Sequence, residues 1–284
     1  MSKVSYKQIS SLVKKFDYDH YLCAMFSPPL IRERLIALNC LNYELGRISS
    51  SVSDPLLGQI KLKWWHDELM SISNNASEVS GHPLSGILAK FIDTKTNHIN
   101  VCVSIIAAYQ ENILSSEVKE ETLDSLIQFY TETWGALSKL QLSAVGVEDE
   151  FILSVAESIA IGWALMDYIR TTGQRLENGV AILPKDIDKK HNLCGTNIHS
   201  AEDNKLLCDG LRTIGLRAET YFQHARDYTA EINDEALPIL LPKIIAESYL
   251  SSLVDNKFNI FSPRVLSHSP PILKLCWIAW KKTM

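Results

Sequence analysis

Leucines recur along the first part of the chain mostly at three- and four-residue steps, the spacing that places side chains on one face of an α-helix. The run consists of Leu30, Leu35, Leu38, Leu41 and Leu45. It follows a Pro-Pro pair at 28–29, and proline is tolerated where a helix begins. The pattern predicts a helix with one buried leucine stripe. A second helix is predicted from Pro55, with Ser53 or Asp54 as its cap.

Helical periodicity continues along the rest of the chain. It predicts further helices over 84–93, 99–115, 119–145, 150–172, 201–232, 235–254 and 270–282. The polar, turn-rich stretches 73–83 and 188–200 are typical of loops. No alternating strand pattern of useful length occurs, so we predict an all-α, single-domain helical bundle over residues 17–284. Residues 1–16 are predicted to form a separate N-terminal segment.

Composition narrows the function classes. The chain has 284 residues, a net charge of -5 and a pI near 5.9, which disfavours a broad nucleic-acid-binding face. The N-terminus lacks the apolar run of a signal peptide, and no window reaches the roughly 18 uninterrupted apolar residues of a membrane span. We therefore expect a cytoplasmic protein. Peripheral membrane contact through the amphipathic C-terminal stretch "LKLCWIAWKKTM" is left open beside plain docking on the bundle.

Candidate metal and nucleophile motifs are scarce. The six cysteines and eight histidines are dispersed, without CxxC, HxxxH or HExxH spacing, and there is no Gly-x-Ser-x-Gly elbow or glycine-rich phosphate loop. Each histidine is therefore interpreted as a surface or structural residue. Core packing is favoured for Trp64 and Trp134. No cofactor and no metal site are predicted.

Residues 160–187 form a second informative stretch, "AIGWALMDYIRTTGQRLENGVAILPKDI". Small residues at Gly162 and Ala164 would allow close approach of a neighbouring helix or a ligand. The pattern favours a long helix that runs into a loop beyond Arg170. On pattern alone, a core helix followed by a surface loop is as good an interpretation as a functional site.

Four segments together resemble the squalene/phytoene synthase family. They are "DHYLCAMFSPPLIRERLIALNCLNYELGRI" (19–48), "DPLLGQIKLKWWHDEL" (54–69), "YTETWGAL" (130–137) and "RTTGQRLENGVAILPKDI" (170–187). Each is weak alone, but their order and separation over most of the chain identify the family. The resemblance implies an isoprenoid-synthase-type bundle around a central cavity. In active members, two aspartate-rich motifs hold magnesium ions that bind a prenyl diphosphate, since magnesium prefers hard oxygen ligands.

The aspartates of both motifs are missing at the positions that the resemblance assigns to them. The paired aspartates of the first motif fall on Gly46 and Arg47, and its later acid falls on Ser49 or Ser50. The acids of the second motif fall on the positions Thr171, Gln174 and Arg175. No Asp-Asp pair occurs anywhere in the chain. The resemblance therefore predicts that both magnesium motifs are lost.

The residues left near these positions are candidates for binding a ligand or an anionic head group: Glu44, Arg47, Trp163, Asp167 and Arg170. A helical ion pair at i,i+3 is the favoured interpretation of Glu44 with Arg47, and the same holds for Asp167 with Arg170. A lone magnesium ligand at Glu44 is the less favoured alternative. The arginines suit phosphate, and Trp163 is equally compatible with a cavity lining and with core packing.

One branch of the family shares the Asn-x-Glu-Leu sequence found here at 42–45. It comprises a respiratory complex I assembly factor and its bacterial relatives, which also lack the acids. We therefore predict a non-catalytic protein that binds an isoprenoid-like lipid or a complex I subunit. Two alternatives stay open: a prenyl diphosphate transferase with an atypical magnesium site, and a helical interaction protein whose cavity is filled.

Overall fold

The computed structural model describes residues 3–51, 54–73, 82–92, 97–115, 122–178, 183–191, 201–226 and 232–283. These residues form sixteen α-helices and one π-helical turn, and no strand occurs among them. The predicted all-α fold is confirmed. The loop predicted over 73–83 lies outside the described residues from 74 to 81.

The first nine helices and the π-helical turn span residues 3–170. They are α1 (Lys3–Phe16), α2 (Tyr18–Ala24), α3 (Pro29–Ser51), α4 (Pro55–Ser73), α5 (Pro83–Leu88), α6 (His98–Ser115), α7 (Leu123–Tyr130), the π-helical turn (Thr131–Gly135), α8 (Ala136–Ala144) and α9 (Glu150–Arg170).

Seven further helices complete the bundle. They are α10 (Thr172–Glu177), α11 (Lys185–His191), α12 (Ala201–Arg226), α13 (Leu237–Leu240), α14 (Pro242–Asp255), α15 (Pro263–Leu266) and α16 (Ile272–Lys281).

Short polar residues or prolines start several of these helices, as predicted for α4. The side chain of Asp54 accepts a hydrogen bond from the backbone N–H of Leu56 at 2.9 Å, which confirms it as the cap. Asp149 caps α9 in the same way, through the backbone N–H of Ile152 at 2.9 Å. These contacts satisfy backbone donors that lack a partner within the helix.

Helix α9 joins two hydrophobic clusters into one core. Its first half, with Val155 and Ile159, packs in a cluster built mainly by α1, α3, α4, α6 and α8. Its second half, with Leu165 and Ile169, packs with α7, α12 and α14. Gly162 permits this close approach, because a Cβ atom at that position would lie 2.5 Å from the ring of the fully buried Phe222 on α12.

Three sequence-based boundaries need correction. The helix predicted over 119–145 is interrupted by the π-helical turn, where the Thr133 hydroxyl donates to the carbonyl of Phe129 and competes with regular helical bonding. Residues 172–177 and 185–191 are helical, although loops were predicted beyond Arg170 and over 188–200. The rest of the second predicted loop, residues 192–200, lies outside the described residues. The leucine stripe of α3 is buried from Leu35 onward, but Leu30 is exposed because it lies at the first turn of the helix.

The predicted N-terminal segment packs on the bundle. Helix α1 contacts α2, α3 and α5, and its Ile9 and Val13 are buried in the first hydrophobic cluster. Two apolar stretches, Glu150–Arg170 and Leu237–Asp255, are long enough to cross a membrane by length and composition alone. Most of each lies buried inside the bundle, as in the core helices of globular proteins.

Candidate functional site

The position assigned to the first aspartate of the first motif faces a buried tyrosine. Tyr109 of α6 lies against Gly46 of α3, where a Cβ atom would be 3.4 Å from the tyrosine oxygen. The Tyr109 hydroxyl donates to Oδ1 of Asn42 at 3.1 Å, and both residues are buried. Burial raises the pKa of Tyr109, so its hydroxyl stays protonated. The inner side of this position is therefore neutral and hydrogen-bonded.

The neighbouring Arg47 forms the predicted ion pair with Glu44, at 2.8 Å between Nη2 and Oε2. The arginine side chain is 56% exposed, whereas the glutamate side chain is mostly covered. Hydrogen bonding to Glu44, with the charge of that carboxylate, raises the pKa of Arg47. The nearest carboxylate of the first segment is thus neutralised within its own helix.

A groove of about 200 Å³ opens beside this ion pair, between α3 and α4. Its lining residues are Glu44, Arg47, Ile48, Lys61, Trp64 and Trp65. Trp65 is buried, but the expectation that Trp64 packs in the core is wrong, because Trp64 is exposed at the groove. Its ring contacts those of Trp65 and His82 edge-on.

The second segment is organised around Arg170 at the end of α9. Its guanidinium forms the predicted pair with Asp167, at 2.8 Å from Nη2 to Oδ1. It also reaches Asp19 of α2, at 2.6 Å from Nη1 to Oδ2, and Asp19 is only 5% exposed. Burial works to lower the pKa of Arg170, but the carboxylates of Asp167 and Asp19 raise it, so the arginine stays charged. Two carboxylates therefore bind this cation internally.

Tyr249 and His268 lie close to this ion-pair triad, and their rings are in contact with a centroid distance of 5.6 Å. Burial raises the pKa of Tyr249 to about 12. The charge of Arg170 opposes this shift, and that of Asp167 adds to it. Burial also lowers the pKa of His268. The carboxylate of Asp19 opposes this shift, and the positive charge of Arg170 adds to it. Both groups are consequently neutral near pH 7.

An aromatic cluster packs against the same triad. His20 lies between Trp134 of the π-helical turn and Trp163 of α9, at ring-centroid distances of 5.3 and 4.4 Å. The guanidinium of Arg170 lies over the Trp163 ring at 5.6 Å. Trp163 is thus a packed core residue, and its predicted role in lining a lipid cavity stays a prediction.

His20 is a satisfied structural residue, as its isolation in the sequence indicated. Its Nδ1 lies 2.8 Å from Oδ1 of Asp17. Burial works to lower the pKa of His20, but the carboxylates of Asp17, Asp19 and Asp167 together raise it. The imidazole is therefore biased towards its protonated form.

The remaining positions assigned to the second motif form a small local cluster. Arg175 lies over the ring of Tyr168 at 3.6 Å and donates to the hydroxyls of Thr171 and Thr172, at 2.8 and 3.0 Å. Gln174 is exposed. The Arg175 side chain is thus held at the junction of α9 and α10, and none of the positions Thr171, Gln174 and Arg175 carries a carboxylate.

These residues do not fit the magnesium cluster that the family resemblance implies. Magnesium requires several oxygen ligands, usually one or two of them carboxylates. Among the described residues, no three His, Cys, Asp or Glu side chains converge as a metal site. The carboxylates of Glu44 and Asp167 are bound to arginines instead. The expectation that the chain takes no cofactor stays a prediction.

Sequence reasoning missed Asp19, His20 and Tyr109. Asp19 and His20 belong to the segment "DYDH" (17–20), in which Asp17 caps α2 and Asp19 lies in the first turn of that helix. A buried acid needs a partner, and that rule marks Asp19 as a residue to explain. No local signal identifies Arg170 as its partner, because 151 positions separate the two.

Comparison with known protein families identifies the family of this chain. The squalene/phytoene synthase family model matches residues 13–271. The chain belongs to the squalene/phytoene synthase family. Among relatives, mouse NADH dehydrogenase (ubiquinone) complex I assembly factor 6 is 24% identical over 274 residues, which cover 95% of this chain and 80% of the mouse protein. The human counterpart is 22% identical, covering 96% and 81%.

Solved structures in the squalene/phytoene synthase family confirm the isoprenoid-synthase fold. A dehydrosqualene synthase crystallised with a ligand superposes with a TM-score of 0.75 at 14% identity, covering 98% of this chain and 96% of that one. A squalene synthase from Alicyclobacillus acidocaldarius gives a TM-score of 0.69 at 12% identity, covering 90% and 95%. At these identities the likeness establishes the fold alone.

Proposed function

We propose that this chain is a non-catalytic member of the squalene/phytoene synthase family that promotes assembly of a respiratory NADH dehydrogenase by binding a partner protein. The observation that carries the proposal is the internal pairing of charge at both motif positions. Arg170 is bound by Asp167 and Asp19, and Glu44 is bound by Arg47.

The charge pairing argues against ionisation of a prenyl diphosphate. That step needs cations arranged to receive the departing diphosphate, and such preorganised electrostatic help is the main contribution of an active site of this kind. A carboxylate already bound to an arginine is a poor magnesium ligand. An arginine that is already bound to two carboxylates, as Arg170 is, has little positive charge to offer a diphosphate.

The relatives of this chain support the assembly role. Proteins from mouse and human that match nearly the whole chain are named as assembly factors of NADH dehydrogenase (ubiquinone) complex I. A similar protein from Drosophila melanogaster is named as a homologue of that factor and is 22% identical over 257 residues. An assembly role requires a surface for a partner and no turnover.

Helix α4 offers such a surface. Leu56, Ile60 and Trp64 follow one another at i, i+4 and i+8, which places them on one face, and all three are exposed. Lys61 lies at the groove beside Trp64. Apolar anchors with a neighbouring cation suit a protein segment that carries apolar and acidic residues.

The assembly proposal is tested in cells that lack this chain. We expect their membranes to contain less assembled NADH dehydrogenase, measured on native gels and as NADH-dependent quinone reduction. Wild-type protein should restore both readouts, and Asp167→Asn should restore them as well because no turnover is required. Normal levels of assembled enzyme without the chain would overturn the assembly role.

The partner surface is tested in the same cells with two matched substitutions. Ile60→Asp places a charge on the exposed face of α4 and should fail to restore assembly. Leu216→Asp changes a similarly exposed leucine on α12 and should restore it. Equal behaviour of the two variants, with both folded, would remove α4 as the partner surface.

A prenyl diphosphate transferase with an atypical metal site is the second candidate, favoured by the fold shared with a dehydrosqualene synthase over 98% of this chain. In that case Asp167 would be a ligand, and Asp167→Asn would fail to restore function. Binding of an isoprenoid or another lipid in the interior stays a separate prediction, measured by direct titration of the purified protein.

A further inference from the structure

The C-terminal helix α16 has two apolar faces, and only one of them packs on the bundle. Leu275 and Ile278 are buried in the first hydrophobic cluster. Leu273, Trp277 and Trp280 stand at i, i+4 and i+7 on the opposite side, and they are 87%, 55% and 73% exposed. An ordinary surface helix needs only the buried face, so the outer face requires an explanation.

Helix α16 is held firmly in place, so its outer face is a fixed surface. The backbone carbonyl of Lys282 accepts a hydrogen bond from the N–H of Ile232 at 2.9 Å. The Lys282 ammonium also pairs with Asp234 at 3.0 Å. The helix therefore lies along the body of the protein with its outer face directed away from it.

Basic residues flank this outer face. Lys274 and Lys281 stand at i and i+7 along one edge of α16, and residues 272–281 contain no acid. The ammonium of Lys281 lies over the Trp277 ring at 4.6 Å. Arg264 of α15 lines the same polar groove as Lys274, although Glu247 and Asp255 line it too. The edge of α16 formed by Lys274 and Lys281 is therefore basic, whereas the groove beyond Lys274 carries as many acids as bases.

We propose that the outer face of α16, formed by Leu273, Trp277 and Trp280, binds the surface of an anionic lipid bilayer. Tryptophan prefers the boundary between water and lipid because its ring is apolar and its N–H is polar. Lysines at the edge attract anionic headgroups, and a helix fixed parallel to a flat surface buries its face in the interface without crossing the bilayer. A membrane partner fits better than a second copy of this chain, because a symmetric pairing through this face would bring the lysines of one copy, Lys274 and Lys281, close to those of the other.

The test is co-sedimentation of the purified full chain with vesicles. One vesicle type contains phosphatidylcholine with phosphatidylglycerol, and the other contains phosphatidylcholine alone. We expect binding to the anionic vesicles that weakens in high salt. Trp277→Ser with Trp280→Ser should reduce the partition coefficient by about tenfold or more, since two large apolar side chains no longer enter the interface.

The control is Leu216→Ser, which removes an exposed apolar side chain from α12 and should leave vesicle binding unchanged. Circular dichroism and thermal unfolding establish that each variant is folded. Absence of binding to anionic vesicles would overturn the proposal, as would unchanged binding by the double variant. Self-association that the double variant abolishes, seen by analytical ultracentrifugation without lipid, would assign the face to a second copy instead.

Discussion

The ends of α3 and α9 neutralise their charges in different ways. At the end of α3, the ion pair of Arg47 with Glu44 spans one helical turn and the arginine is largely solvated. At the end of α9, Arg170 reaches across to Asp19 of α2, which is almost fully buried. The first arrangement is local. The second ties two distant parts of the chain together, so it also contributes to stability.

The largest difference between the two regions should appear when each arginine is replaced by glutamine. Arg170→Gln leaves the carboxylate of Asp19 buried without its cation, and we expect a loss of about 3 kcal/mol in the free energy of unfolding. This lies at the lower end for buried pairs because the Arg170 side chain is 43% exposed. Urea denaturation measures the effect.

The matched change Arg47→Gln should cost at most about 1 kcal/mol, because exposed helical pairs contribute little. Equal losses for the two variants would contradict the distinction between a local and a long-range pair. A small loss for Arg170→Gln would mean that Asp19 is stabilised by another group.

The close packing of α9 should also make this helix intolerant of a larger side chain at Gly162. Gly162→Ala would place a methyl group 2.5 Å from the ring of Phe222, which is fully buried and cannot move away. We expect a destabilisation of about 2 kcal/mol. Gly173→Ala, where nothing lies within 4 Å of the new Cβ atom, serves as the control and should be neutral or slightly stabilising. Thermal unfolding of both variants would distinguish close packing from a general intolerance of this segment.

In the first region, loss of the hydrogen bond between Tyr109 and Asn42 should have a smaller effect on stability. Tyr109→Phe removes the hydroxyl that donates to Asn42 and leaves a buried acceptor without this donor. We expect a loss of about 1 kcal/mol in the free energy of unfolding. A value near zero would mean that Asn42 finds another donor when the hydroxyl is removed.

The charge pairing around α9 also predicts a pH dependence carried by His20. Its pKa is raised in the folded protein by Asp17, Asp19 and Asp167 against the effect of burial. The stabilisation from protonated His20 is therefore fully present below the unfolded pKa of about 6.5 and disappears as the pH rises through the higher folded value. His268 has a lowered pKa and acts in the opposite direction.

The contribution of His20 can be isolated by comparing wild type with His20→Gln between mildly acidic and mildly basic pH. The stability advantage of the wild type should shrink as the pH increases. An advantage that grows with pH would show that burial, and not the three carboxylates, dominates the environment of His20.

Local features of both regions could be predicted from the sequence, but contacts between distant segments could not. The pairs Glu44–Arg47 and Asp167–Arg170 follow from helical spacing alone, and both are present. The contact of Arg170 with Asp19 depends on how α2 is placed against α9. The burial of Trp64 was predicted wrongly for a related reason. Tryptophan is a residue type that usually packs in a core, but the packing of α4 on the bundle determines which of its faces is exposed.

The most direct test of the central claim is a turnover assay with the purified chain, farnesyl or geranylgeranyl diphosphate, and magnesium. A dehydrosqualene synthase assayed in parallel establishes that the conditions support catalysis. The charge pairing at Glu44 and Arg170 predicts that diphosphate release by this chain stays at the rate seen without protein. Magnesium-dependent release accompanied by a head-to-head condensation product would contradict the account and establish an active metal site.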